Sequence, residues 1–168
     1  KPFTNKVLEV LKQDLSYTNR LDILKSDDKA DYSLILEEKK QQLCMKMSTA
    51  AQSKHQAEAV CIPIEDYTAR SLGHFMAQAA HEYILGKKAI YTSKLAYVRE
   101  KKKENKRSYT LVLADFDGGQ QDVLLESDEP IMSPTFSPDA SKIAYVSFEG
   151  GSSKIFVQEV ATGQRELI

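Results

Sequence analysis

Three histidines, two cysteines, a spaced set of serines and one basic run are the side chains with chemistry to offer in this chain of 168 residues. His55, His74 and His81 all lie in the first half. His74 and His81 stand two helical turns apart on one face. Paired metal ligands on a helix sit at i and i+4, and no third ligand accompanies this pair, so all three are read as surface or helix-end histidines. Ser133, Ser137 and Ser141 have no Gly-x-Ser-x-Gly elbow around them, and no histidine follows His81 to serve as their base. They are read as turn residues. Asp115-Phe116-Asp117-Gly118-Gly119 has the composition of a calcium loop but lacks the spacing and distal Glu of an EF-hand, so it too is read as a turn. There is no phosphate-binding glycine loop. The expectation is a protein that is not an enzyme, with no catalytic, cofactor-binding or metal residues and with its partner-binding residues unassigned.

The basic run is Lys101-Lys102-Lys103-Glu104-Asn105-Lys106-Arg107. No aromatics interleave it, which argues against stacking on nucleic-acid bases, and it is placed at a solvated hairpin tip. The formal net charge of −1 gives no global pull toward nucleic acid or an anionic membrane. No apolar run approaches the ~20 residues of a membrane span. No signal peptide is visible, but the chain opens with Lys1-Pro2-Phe3 straight into a helical pattern. It is read as lacking an N-terminal segment.

The elements that carry these residues change character near residue 88. In the first half, Phe3, Val7, Leu8, Val10, Leu11 and Leu15 form a helical stripe over 3–15, with Thr4 or Asn5 as a cap. Leu21, Ile23 and Leu24 read as a short strand. Tyr32 to Leu36, Gln41 to Thr49 and Ala57 to Ile64 read as an antiparallel meander with one covered face, joined by a turn over 37–42 and a loop over 50–56. Glu65-Asp66 opens a second helix, Tyr67 to Leu85, whose apolar face is Leu72, Phe75, Met76, Ala79, Ala80, Tyr83 and Ile84, with Gly86 as its stop. The expected fold class is α+β, a two-layer domain over 1–88.

The second half repeats itself. Lys94-Leu95-Ala96-Tyr97-Val98 matches Lys142-Ile143-Ala144-Tyr145-Val146 at an offset of 48. Leu111-Val112-Leu113 matches Ile155-Phe156-Val157, Gly119-Gln120 matches Gly163-Gln164, and Val123-Leu124 matches Leu167-Ile168, all at an offset of 44. An insertion within Arg99 to Ser108 absorbs the difference. A period of about 40 to 50 residues with several short strands marks a β-propeller blade, which must stack on others to bury its faces. Residues 89–168 are therefore read as an incomplete propeller of about two repeats. Pro138 and Asp139 suit the central positions of the Ser137–Ala140 turn. Ile143, Tyr145, Ile155 and Val157 are expected to lack part of their cover, so that the repeat half self-associates through open edges.

Ser133-Pro134-Thr135-Phe136-Ser137-Pro138-Asp139-Ala140-Ser141-Lys142-Ile143-Ala144-Tyr145-Val146, with Ala161-Thr162-Gly163-Gln164 beyond it, resembles the TolB-type propeller repeat. Pro130-Ile131-Met132-Ser133-Pro134 and Ala114-Asp115-Phe116-Asp117-Gly118 resemble the first repeats of the TolB family itself. The resemblance covers about 95–168 in motifs and the whole chain in architecture. It implies a non-catalytic periplasmic scaffold of the Tol-Pal envelope system that binds Pal and TolA and supports outer-membrane integrity and envelope constriction at division. The alternative is the propeller of a prolyl-oligopeptidase-like serine peptidase. The family has a six-bladed ring, a Pal site at the ring's mouth and an N-terminal segment that contacts TolA, none of which this chain contains in full. Ala140 stands where the family has Gly, so its turn is expected to avoid a strongly positive φ. Cys44 and Cys61 are expected to face each other across the meander. Facing Cβ atoms about 4.5–5.5 Å apart favour two free thiols, while the implied periplasm favours a disulfide.

Overall fold

The computed structural model describes residues 2–24, 30–50, 58–104 and 106–168. The chain divides into two compact units, Lys1–Thr92 and Ser93–Ile168.

The first unit holds two helices and one sheet. Helix α1 (Pro2–Ser16) starts on a proline, which needs no N–H partner at that position and has its φ already set for a helix. Thr4 is therefore not the cap; it lies inside the helix and donates from Oγ1 to Glu38 Oε2 at 3.1 Å. Val7, Leu11 and Leu15 are buried along one stripe. Helix α2 (Ala69–Leu85) packs against α1. It opens at Thr68 rather than at Glu65-Asp66, because the Thr68 side chain accepts from the Ser71 N–H at 3.1 Å. It closes where expected, at Gly86 with φ 65°, whose N–H donates to the Glu82 carbonyl. Gly73 makes the helix crossing possible: a Cβ there would lie 2.6 Å from Val10 Cβ.

The sheet of this unit has the order β1-β2-β3, from β1 (Tyr32–Lys39), β2 (Gln42–Thr49) and β3 (Glu58–Pro63). All pairings are antiparallel, as the meander reading required. Leu43, Met45 and Met47 on β2 are buried. The strand expected at Leu21–Leu24 is absent: those residues are irregular, and β1, the strand next in sequence, pairs only with β2 among the described residues. Most of the loop expected over 50–56 lies outside the described residues, as does His55. Cys44 and Cys61 are register partners with Cα atoms 4.0 Å apart, and they form a disulfide. The reading that favoured free thiols is corrected: the two cysteines stand directly opposite each other in the β2–β3 ladder, within reach of a bridge, and are bonded.

The second unit is two antiparallel sheets. One has the order β4-β5-β6, from β4 (Lys94–Lys103), β5 (Lys106–Asp115) and β6 (Asp122–Ser127). The other has the order β10-β9-β8-β7, from β7 (Ile131–Phe136), β8 (Lys142–Ser147), β9 (Lys154–Glu159) and β10 (Arg165–Leu167). The internal repeat appears as identical register. Tyr97 pairs with Val112 as Tyr145 pairs with Phe156, and Val112 pairs with Val123 as Phe156 pairs with Leu167. The two sheets share one core of Leu111, Ile131, Ile143 and Tyr145, with Ala96, Val98, Leu125 and Phe136 packed against it.

Candidate functional site

The Ser-Pro-Asp-Ala turn joins β7 to β8 and is held by its own side chains. Ala140 N–H donates to the Ser137 carbonyl at 2.9 Å. Ser137 Oγ donates to Asp139 Oδ1 at 2.6 Å and accepts from the Lys142 N–H at 3.0 Å. Ser141 donates from its backbone N–H and its Oγ to the same carboxylate. These donors, Ser137 first, hold the Asp139 carboxyl down at about 2. Ser137 and Ser141 are thus turn residues, as their sequence context predicts, and their hydroxyls are committed to an acid rather than a base. Ala140 differs from expectation. Its φ is 57°, in the left-handed region that the sequence reading excluded for a non-glycine residue. The closed network around Asp139 holds it there. Ser133 also has a positive φ, 53°, at the bulge where Pro134 interrupts the β7–β8 ladder. Proline is tolerated there because β7 is an edge strand.

Asp115-Phe116-Asp117-Gly118-Gly119 is the strand-to-strand turn its composition predicts. Asp115 N–H donates to the Gly119 carbonyl, Gly118 N–H to the Asp115 carbonyl, and Gly119 N–H to Asp117 Oδ1. Lys94 Nζ sits 2.6 Å from Asp115 Oδ1.

His81 is a helix-end histidine, its Nδ1 2.9 Å from the Lys87 carbonyl oxygen. His74 is not a surface residue. It is 3% exposed, and its Nδ1 lies 2.7 Å from Oδ2 of Asp14, which is fully buried. Such a pair is the orienting half of a nucleophilic triad, and here it joins α2 to α1 through a buried contact. We read it as the polar tie between the helices. Sequence reasoning missed Asp14 because nothing in the spacing of α1 shows that its partner lies 60 residues away. It also counted Phe75 in the apolar face of α2, whereas Phe75 is exposed beside Tyr67.

The basic run lies on the β4–β5 ribbon, beyond the reach of β6, at the tip the sequence predicts. Lys102 stands opposite Arg107 and Lys103 opposite Lys106, while Arg107 pairs with Glu100 at 3.1 Å. Like charges facing across strands are unfavourable, so this tip is built for solvent rather than for packing.

Two surfaces expose apolar side chains. The first is a cleft of about 960 Å³ in the first unit, lined by Leu8, Leu11 and Leu15 of α1, by Leu21 and Ile23, and by Leu34 of β1. It is not legible in the sequence, where Leu21–Leu24 read as a strand. The second is the outer face of the four-stranded sheet. Alternation places Ile143 and Tyr145 on the inner face, where they are 0% and 1% exposed, which corrects the expectation that they lack cover. The outer face carries Met132, Ala144, Val146, Ile155 and Val157, with Met132 52% and Ile155 51% exposed.

Comparison with known proteins gives these features a family. A family model described as PD40, TolB beta propeller domain, matches residues 81–168. A Tol-Pal system protein TolB from Xanthomonas oryzae pv. oryzae (strain PXO99A) is 43% identical over 99 residues, covering 59% of this chain and 23% of that protein. The one from Xylella fastidiosa (strain 9a5c) is 42% identical over the same shares. The crystal structure of TolB from Acinetobacter baumannii is similar with a TM-score of 0.78 and 27% identity, over 96% of this chain and 45% of that one. The matched stretch thus spans about a quarter of the curated relatives' length, and less than half of the solved one.

Proposed function

The chain belongs to the TolB β-propeller domain family, and from that membership we propose that it acts as a non-catalytic scaffold of the Tol-Pal system. The observation that supports this most is the 43% identity over 99 residues to proteins carrying the Tol-Pal TolB name. In this reading, residues 1–88 are a two-layer α+β domain and 89–168 begin a propeller. The protein in its host works in the periplasm and, with the parts of the family's ring and N-terminal segment that lie outside these 168 residues, binds Pal and TolA and through them supports outer-membrane integrity and constriction at division. Propeller faces bind through side chains at strand ends and need no bond chemistry, which suits serines committed to a turn. The peptidase-propeller alternative draws no support from the relatives compared above. No helix among the described residues is long and apolar enough to cross a membrane.

Two measurements test the reading together. Fractionation of host cells should recover the protein in the periplasm, and the purified chain should turn over no ester or peptide substrate. Cytosolic recovery, or turnover abolished by replacing Ser133, Ser137 or Ser141, would overturn it.

A further inference from the structure

The first copy of the repeat carries a ribbon that the second lacks. In the second copy the β8–β9 ladder ends at Ser147 opposite Lys154, and a short 3-10 turn, Glu149–Gly151, lies between the strands. The equivalent rung in the first copy is Arg99 opposite Thr110, and there the ladder runs on for four more: Glu100 with Tyr109, Lys101 with Ser108, Lys102 with Arg107 and Lys103 with Lys106. β6 reaches only as far as Tyr109, so the last three rungs stand clear as two strands alone. At about 3.4 Å per residue they project by roughly 10 Å. Lys101, Lys102, Lys103, Lys106 and Arg107 are all exposed. Arg107 pairs with Glu100, but none of the four lysines has an ion-pair partner among the described residues. Charge is segregated around this ribbon. Arg99–Arg107 holds six basic and two acidic residues, while the rest of Ser93–Ile168 holds four basic and ten acidic. Two like-charged rungs oppose the hairpin, so folding does not account for the placement.

We propose that the tip of the β4–β5 ribbon docks end-on against the anionic phospholipid headgroups of a membrane surface, as a reversible electrostatic contact. Alternation puts Lys101, Lys103 and Lys106 on one face of the ribbon and Lys102 and Arg107 on the other. A folded partner would cover one of these faces. A headgroup layer, about 5–7 Å deep on each side of the hydrocarbon, surrounds a narrow tip on both. Lysine suits such a layer, because its ammonium is a point charge around which mobile phosphates can gather, whereas fixed bidentate recognition falls to arginine. From Lys101 to Ser108 there is no apolar side chain, so the contact stops at the headgroups. The acidic remainder of the unit does not cancel the attraction, since the ribbon's reach of roughly 10 Å exceeds the Debye length of about 8 Å at physiological salt. The absence of aromatics from the tip argues against a nucleic acid. This contact is separate from any binding of Pal or TolA.

Flotation of the intact chain with lipid vesicles is the test. The chain should float with vesicles of phosphatidylcholine containing phosphatidylglycerol and not with phosphatidylcholine alone, and rising salt should release it. Lys101→Gln, Lys103→Gln and Lys106→Gln should each lower the partition by about fivefold, and together by about a hundredfold. Lys142→Gln, outside the ribbon, should leave it unchanged. Thermal unfolding of each variant checks that the fold is kept, as exposed positions allow. The proposal is overturned if the chain ignores the anionic vesicles, binds neutral ones as well, or loses binding equally to Lys142→Gln. It is equally overturned if poly-glutamate or single-stranded DNA binds through the same lysines while the vesicles do not, or if the triple variant dissolves a dimer formed without vesicles.

Discussion

A single methyl group decides how comfortably the Ser137–Ala140 turn closes. Ala140 holds a left-handed φ of 57°, a conformation that costs a residue with a Cβ about 1–2 kcal/mol. Ala140→Gly removes the clash at the expense of a looser unfolded chain, so it should raise stability by about 1 kcal/mol, read by urea unfolding; a loss would contradict the assigned backbone. Asp139 gives a second test. Its carboxyl lies at about 2 in the fold against 3.8 unperturbed. Because the folded value is depressed, its contribution is complete above about 3.8 and is lost as pH falls through about 2. An NMR titration should place its midpoint near 2, and a midpoint near 3.8 would mean that the two serines do not hold it. The turn itself was legible from Ser-Pro-Asp, since those residues fix local geometry. The sign of φ at Ala140 was not legible, because the hydrogen bonds that enforce it form only in the folded hairpin.

Between elements, short-range signals again separate from long-range ones. Helical stripes and strand alternation placed both helices and all three meander strands, because burial imposes the periods of 3.6 and 2 on the sequence directly. The Asp14–His74 tie, the cleft beside α1 and the irregular path of Leu21–Leu24 depend on which element meets which, and no local period records that. Gly73 is where α1 and α2 come closest. Gly73→Ala would place a methyl within 2.6 Å of Val10, and overpacking of this kind costs about 1–3 kcal/mol. A neutral or stabilising result in thermal unfolding would show that the helices yield freely there. The Cys44–Cys61 bridge closes a loop with a sequence separation of 17, for which the chain-entropy account gives about 3 kcal/mol. Cys61→Ser should therefore lower stability by that order, and unchanged unfolding would argue that the bridge contributes little.

For the whole molecule, repetition explains both what is covered and what is not. Ala96 and Val98 of the first sheet pack into the core it shares with the second, whereas their equivalents Ala144 and Val146 sit on the outer face beside the exposed Met132 and Ile155. The alternation of β8 was legible, but which of its faces is inner was not, since that depends on where the partner sheet lies. We expect the chain to self-associate through this outer face. Sedimentation across a concentration series should show association that Ile155→Asp suppresses, and a strictly monomeric wild-type chain would contradict it. Residues 81–168 alone show the family, but the scaffold function rests on partners. The most direct measurement is therefore crosslinking in host cells, followed by recovery of this protein and identification of what is joined to it. The account predicts that Pal or TolA is recovered. Efficient crosslinking that yields neither, in cells where Pal and TolA are present, would contradict it.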